Sequence, residues 1–153
     1  MKLRFDFTAE KCSACGACAV ACMDQNDIDI QHGQRSYRNV MQKERGDEYI
    51  SLSITCLHCE EAPCIPVCPV GCIYKDASSL TLYDTSHCIG CRACFRVCPV
   101  EAPTFRQNKS GDGSIHMEKC HGCLERIITG LQPACVQACP TDAITWRWEE
   151  NDP

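Results

Sequence analysis

The chain has 153 residues, a formal charge of −5 with histidines neutral, and 17 cysteines. Leu, Ile, Val and Phe together number 29, or 19% of the residues, a thin supply of large apolar side chains for an ordinary packed core. The acidic balance leaves no basic footprint for nucleic acid, and no apolar run is long enough to span a bilayer.

In chain order, Leu3-Arg4-Phe5-Asp6-Phe7 alternates and predicts a strand. The N-terminal MKLRFDFTAEKC has neither an apolar signal region nor a twin arginine. The expected location is therefore cytoplasmic, with export only by co-transport with a signal-bearing partner. The first cysteine group follows: Cys12, Cys15, Cys18 and Cys22, spaced C-x2-C-x2-C-x3-C. Residues 24 to 55 hold no cysteine and include Arg35, Arg38, Lys43 and Arg45. They read as a solvated loop, with partner docking as the functional alternative. Group two is Cys56, Cys59, Cys64 and Cys68, spaced C-x2-C-x4-C-x3-C. Asp76-Ala77-Ser78 predicts a turn, and Ser79-Leu80-Thr81-Leu82-Tyr83 a strand. Group three, Cys88, Cys91, Cys94 and Cys98, repeats the spacing of group one, and group four, Cys120, Cys123, Cys135 and Cys139, is spaced C-x2-C-x11-C-x3-C. Between Cys123 and Cys135, Leu124, Ile127, Ile128 and Leu131 recur at helical spacing and predict an amphipathic core helix stopped by Gly130 and Pro133. Ile144-Thr145-Trp146-Arg147-Trp148 predicts a last strand, and residues 149 to 153 a frayed tail.

The four groups are copies of one pattern. Proline follows the last cysteine in Cys68-Pro69, Cys98-Pro99 and Cys139-Pro140, and CPVGCIY, CPVEAPT and CPTDAIT align position by position. Cys72, the one cysteine outside the groups, falls where Ala102 and Ala143 stand, which predicts a small buried apolar position. The residues before the groups are Lys11, Thr55, His87 and Lys119. They read as surface positions, with stabilisation of negative charge on whatever the cysteines hold, by Lys11, His87 or Lys119, as the functional alternative.

Thiols this many and this regular, in a chain with no secretory signal, are expected to stay reduced and bind metal. A [4Fe–4S] cubane takes four thiolates, and in two-cluster ferredoxins the run C-x2-C-x2-C-x3-C-P gives three ligands to one cluster and its fourth cysteine to the other. Structural zinc uses two separated pairs and leaves the third cysteine of each group without a task. A zinc-stabilised interaction module nevertheless stays as one alternative, and a free-standing soluble polyferredoxin carrier as another. An oxidised cubane with four thiolates nets −2, so four of them take the formal −5 to −13.

The order of these spacings, with SITCLHCEEAPCIPVCPVGCIYK, HCIGCRACFRVCP and MEKCHGCLERIITGLQPACVQACPTDAI, resembles the four-cluster iron–sulfur subunit of the dimethyl-sulfoxide reductase family of molybdenum and tungsten enzymes. The likeness runs over about residues 2 to 148. It implies an α+β fold of two bacterial-ferredoxin-like lobes with pseudo-twofold repeats. One lobe comprises residues 1–50 with 105–153, and residues 51–104 are inserted in it. By the same resemblance Cys12, Cys15, Cys18 and Cys139 hold one cluster, and Cys22, Cys120, Cys123 and Cys135 a second. Cys56, Cys59, Cys64 and Cys98 hold a third, and Cys68, Cys88, Cys91 and Cys94 a fourth. Cys91, which some relatives replace by tryptophan, is present, so four cubanes are expected. The implied role is electron transfer with no catalysis of its own, beside a large catalytic subunit carrying a molybdenum or tungsten pterin. That arrangement leaves room for a further redox or flavin subunit or a membrane anchor.

Overall fold

The computed structural model describes residues 1–107 and 113–150; of the expected tail, residues 151–153 lie outside the described part. Strand β1 (Lys2–Phe7) pairs antiparallel with β8 (Ile144–Glu149), from Lys2 opposite Glu149 to Phe7 opposite Ile144, and so ties the two ends of the chain together. Leu3 and Ile144 turn inward at 3% and 2% exposure, as a two-residue period requires when one face is covered.

Residues 24 to 55 are not a solvated loop. Strands β2 (Asn39–Arg45) and β3 (Glu48–Ile54) form a hairpin, closed by Gly46 in the left-handed conformation at φ 63°. Lys43 and Arg45 stay in solvent. Arg35, in contrast, donates from Nη2 to the carbonyl of Glu101 at 2.7 Å, and Arg38 is 5% exposed. The charges that suggest a wet segment are the ones that dock it.

Strands β4 (Ile73–Lys75) and β5 (Thr81–Tyr83) form a second hairpin. Its turn is an Asp76 cap: Oδ1 accepts from the N–H groups of Ser78 and Leu80 at 3.0 and 2.7 Å. The strand expected from Ser79 starts at Thr81, because Ser79 is left-handed at φ 60°. Strands β6 (Thr104–Gln107) and β7 (Ile115–Glu118) pair antiparallel in turn.

The helices are short: α1 (Ala17–Gln25), α2 (Ala93–Arg96), α3 (Leu124–Ile128) and α4 (Ala134–Gln137). Pro99 and Pro140 close off α2 and α4, since proline removes a donor and restricts the residue before it. No proline follows Cys22, and α1 runs on for nine residues. The apolar stripe of residues 124 to 131 is only half a core face. Ile127 is buried, but Ile128 and Leu131 are 72% and 50% exposed. Gly130, left-handed at φ 83°, ends the helix after five residues and sends Leu131 back to bond the Arg126 carbonyl.

The apolar interior is divided among small clusters. One joins Leu3, Leu80 and Ile127 with Phe5, Leu82, Leu124 and Trp146. The other three are built in part from cysteines: Cys72 and Cys94 with Ile73 and Met117, Cys18 and Cys135 with Ile144, and Cys22 with Ile28 and Tyr37. No helix among the described residues is long and apolar enough to cross a membrane.

Candidate iron–sulfur sites

Each cysteine group is a tight turn built on residues in the left-handed region. The residue just before the second cysteine is Ala14, His58, Gly90 or Gly122, with φ between 47° and 75° in all four groups. Reversing the chain there turns successive N–H groups toward one point, the arrangement of anion-binding nests and many iron–sulfur sites.

A second repeat follows the last cysteine of groups two, three and four. The residue three positions on is left-handed: Gly71, Glu101 or Asp142. The N–H one further on donates to the cysteine sulfur, from Cys72 to Cys68 at 3.4 Å, Ala102 to Cys98 at 3.3 Å and Ala143 to Cys139 at 3.3 Å. Burial pushes the Cys139 thiol up, but the Thr141, Ala143 and Ile144 N–H groups and the Thr141 hydroxyl outweigh it and hold the thiol below its ordinary range. Cys68 is held low in the same way by the N–H groups of Cys72, Val70 and Gly71 and the Cys72 thiol. Group one has no such turn. Asn26, four residues beyond Cys22, sends its side-chain Nδ2 toward the Cys22 sulfur at 3.7 Å and to the Cys22 carbonyl at 2.7 Å. The Asn26 Oδ1 accepts from His121 Nε2 at 2.9 Å.

These turns bring distant cysteines together. Cys12, Cys15, Cys18 and Cys139 line one small pocket, walled by Val40, Ser53 and Ile144. Cys68, Cys88, Cys91 and Cys94 line another, walled by Phe105, Met117 and Cys72. Cys22 faces Cys120 and Cys135, and burial first, then those two neighbours, pushes its thiol up to about 12. Burial, with Cys120 and Cys135 beside it, takes the Cys123 thiol to about 11. Cys64 is also raised, by burial first and by its neighbours Cys98 and Cys59. Cys15 and Cys91 are exposed, whereas Cys18, Cys22, Cys94, Cys123 and Cys135 are buried.

Three buried or half-buried cations sit among these sulfurs. Arg38 Nη1 donates to the carbonyl and hydroxyl of Ser53 at 3.2 and 3.1 Å, and the Ser53 hydroxyl lies 3.3 Å from Cys18 Sγ. Burial works against the Arg38 charge, but Cys135, Cys120 and Cys18 outweigh it and raise its pKa. Lys119, the residue before group four, is not at the surface. It is 1% exposed, donates to the carbonyls of Thr81 and Cys120, and lies near Cys56 and Cys64. Lys75 donates to the carbonyls of His58, Cys59 and Ser79. Lys11 and His87 are exposed, as their positions suggest.

Comparison with known proteins places this geometry in a class. A model of the 4Fe–4S dicluster domain matches residues 47–148. The protein is 34% identical to a subunit of the anaerobic dimethyl sulfoxide reductase of Haemophilus influenzae, over 92% of its own length and 71% of that subunit's. It is 35% identical to the thiosulfate reductase electron transfer subunit PhsB of Salmonella typhi, over 94% and 74%. It is 32% identical to the formate dehydrogenase iron–sulfur subunit of Wolinella succinogenes, over 94% and 80%. The chain belongs to the 4Fe–4S dicluster family of iron–sulfur electron-transfer subunits. Its cofactor is the [4Fe–4S] cluster, and it serves an oxidoreductase without being the catalytic subunit.

The residues present fit that cofactor. Thiols pushed up by burial are costly to ionise in apolar surroundings and call for a cationic core against them. Among the described residues no three of His, Cys, Asp and Glu converge closely enough to hold a single metal ion. A tetrahedral zinc, with Zn–S near 2.3 Å, needs sulfurs about 3.8 Å apart. His58 adds a further sign. Its Nδ1 accepts the Thr81 N–H at 3.1 Å, which leaves the proton on Nε2, a buried atom with no protein partner. A donor so placed, between Cys56 and Cys59 in sequence, suits a sulfide or thiolate acceptor.

Proposed function

We propose that this chain carries electrons on four [4Fe–4S] clusters as the small subunit of a molybdenum- or tungsten-pterin oxidoreductase, of the dimethyl-sulfoxide reductase, formate dehydrogenase or aldehyde oxidoreductase type. Cys12, Cys15, Cys18 and Cys139 hold one cluster, and Cys22, Cys120, Cys123 and Cys135 the next. Cys56, Cys59, Cys64 and Cys98 hold the third, and Cys68, Cys88, Cys91 and Cys94 the fourth. The lobes are residues 1–50 with 105–153, and 51–104 as the insert. The β6–β7 hairpin packs by Phe105 and Met117 on the insert's Cys72 and Cys94, so that boundary cuts through a packed unit.

The observation that carries this reading is the pair of cavities in which three thiols of one run meet a fourth from a distant run. Bound in such cavities, the clusters supply one-electron storage at potentials that the protein sets. The chain's own residues support one order of the sites. Cys15 and Cys91 are exposed in the first and fourth sets. Cys120 of the second set and Cys56 of the third lie close enough for one to push up the other's thiol. This supports a line of sites with an exposed cysteine at each of its two ends. Arg38, Lys75 and Lys119 offset negative charge along it, and the backbone N–H groups do so at the coordinating sulfurs.

Anaerobically purified native protein is expected to hold about sixteen irons and sixteen acid-labile sulfides per molecule, four of each per cubane, and to elute with a large pterin-containing subunit. Elution as a lone protein near 17.0 kDa with those irons favours the carrier instead. Zinc without sulfide ends the electron-transfer proposal for this sequence. The Cys22→Ser variant is expected to lose the paramagnetic signal of the cluster held by Cys120, Cys123 and Cys135. Loss of the Cys12 cluster in its place would show the exchanged pairing to be wrong.

A further inference from the structure

The seventeenth thiol lies inside one of the cluster cavities. Cys72 is 6% exposed and lines the cavity of Cys68, Cys88, Cys91 and Cys94. Its Sγ is 3.4 Å from Cys68 Sγ, and its own N–H reaches that same sulfur at 3.4 Å. In the two equivalent turns the residue is Ala102 or Ala143, which offers only the N–H to Cys98 or Cys139. Cys68 thus has a thiol neighbour at this position, where Cys98 and Cys139 have a methyl group.

We propose that Cys72 is a positioning residue that donates an S–H···S hydrogen bond to Cys68 and raises the reduction potential of that one cluster. The inference rests on the reading that Cys68 is an iron ligand. A ligating Cys68 is a thiolate and has no proton to give, so the proton between the two sulfurs belongs to Cys72. Cys68, Cys88, Cys91 and Cys94 already match four irons one to one, and a fifth sulfur has no iron to bind. A donor on a coordinating sulfur withdraws electron density and favours the reduced, more negative state.

The test is a potentiometric titration of the full-length holoprotein, followed by electron paramagnetic resonance, for the wild type, Cys72→Ala and Cys72→Ser. Cys72→Ala installs the residue that the other two turns use, so the turn itself is expected to survive. Iron and sulfide should equal the wild type, one midpoint should fall and the others should stay. The midpoint that falls should belong to the signal that Cys91→Ser abolishes. Cys72→Ser keeps a donor and should lie closer to the wild type than Cys72→Ala does. Unchanged midpoints in Cys72→Ala overturn the inference and leave the ligand assignment standing. Loss of about four irons in Cys72→Ala makes Cys72 a ligand and overturns the inference too. Survival of that signal in Cys91→Ser removes the ligand assignment, and the inference with it.

Discussion

Arg38 shows how much a single side chain can bind together. The residue is 5% exposed, its guanidinium bonds Ser53, and it lies near Cys135, Cys120 and Cys18. It therefore touches two of the proposed cluster sites at once. Breaking a buried charge pair by removing one partner typically costs about 3–5 kcal/mol, and deleting a buried hydroxyl that bridges two groups about 1–3 kcal/mol. Arg38→Leu is expected to lower the denaturation free energy of the anaerobic holoprotein by the larger amount and Ser53→Ala by the smaller. Wild-type denaturation midpoints in both would show that this polar chain of contacts carries no stability. Neither residue was legible as part of a site. Arg38 stands in a charge-dense stretch, and charge density in a sequence reads as solvent; what encloses it comes from cysteines far along the sequence. Lys119 misled in the same way, because a lysine before a cysteine turn looks like an edge residue until the Thr81 and Cys120 carbonyls are seen around it. A signal did exist in strand β3, where Ser51 and Ser53 are buried at 6% and 5% while Ile50, Leu52 and Ile54 are only partly covered. A strand that turns serines inward is facing something polar.

At the scale of elements, the cysteine turns were the most legible part of the chain, because their spacing leaves the backbone few ways to go. Their tolerance of substitution is not uniform, and space decides it. Gly90 and Gly16 are both left-handed, at φ 66° and 79°. A methyl group on Gly90 would come within 2.7 Å of the Ile115 carbonyl oxygen, whereas one on Gly16 meets nothing within 4 Å. Gly16→Ala should cost only the left-handed penalty of about 1–2 kcal/mol. Gly90→Ala should cost that and a further ~1–3 kcal/mol for overpacking, and should loosen β7 at Ile115. Thermal melts of the two variants side by side check the contrast, and equal melts would remove it. Ala14 and His58 show that the turn itself accepts a side chain where there is room. The β2–β3 hairpin was not legible, since its inner side meets Cys18 through Val40 and Ser53 rather than resting on a run of its own apolar residues. The stripe from Leu124 to Leu131 was half legible. Its period is real, but the left-handed Gly130 cuts the helix before the last turn can be buried.

For the whole molecule, the thin apolar supply visible in the composition becomes a divided interior in which cysteines do the filling. The cluster of Leu3, Leu80 and Ile127, completely closed at Leu80, joins β1 to the β4–β5 hairpin and α3. The Leu3 N–H adds a 2.9 Å bond to the Ser78 carbonyl at the same junction. That is too little to hold the chain without its clusters, because ligand binding and folding share one free energy in such proteins. Oxidation with ferricyanide in the presence of a chelator is expected to abolish the cooperative unfolding transition and most strand signal in circular dichroism together with the visible absorbance. A cluster-free chain that still melts cooperatively would show that the side chains suffice. The composition points to this dependence, but not to the arrangement of the small cores, which is set by which cysteine run meets which.

Asn26 gives the fold an uneven capacity for change. In three of the groups the donor four residues beyond the last cysteine is a backbone N–H, which every residue except proline carries alike, so substitution there cannot easily remove it. In group one the same place is taken by a side-chain amide reaching the Cys22 sulfur. One codon therefore governs whether that sulfur keeps its amide contact, beside the donors it draws from Ser36 and the Tyr37 N–H. Across descendants of this protein, the Asn26 bond is free to be lost or kept by itself, while the matching bonds at Cys68, Cys98 and Cys139 are inherited with the turn.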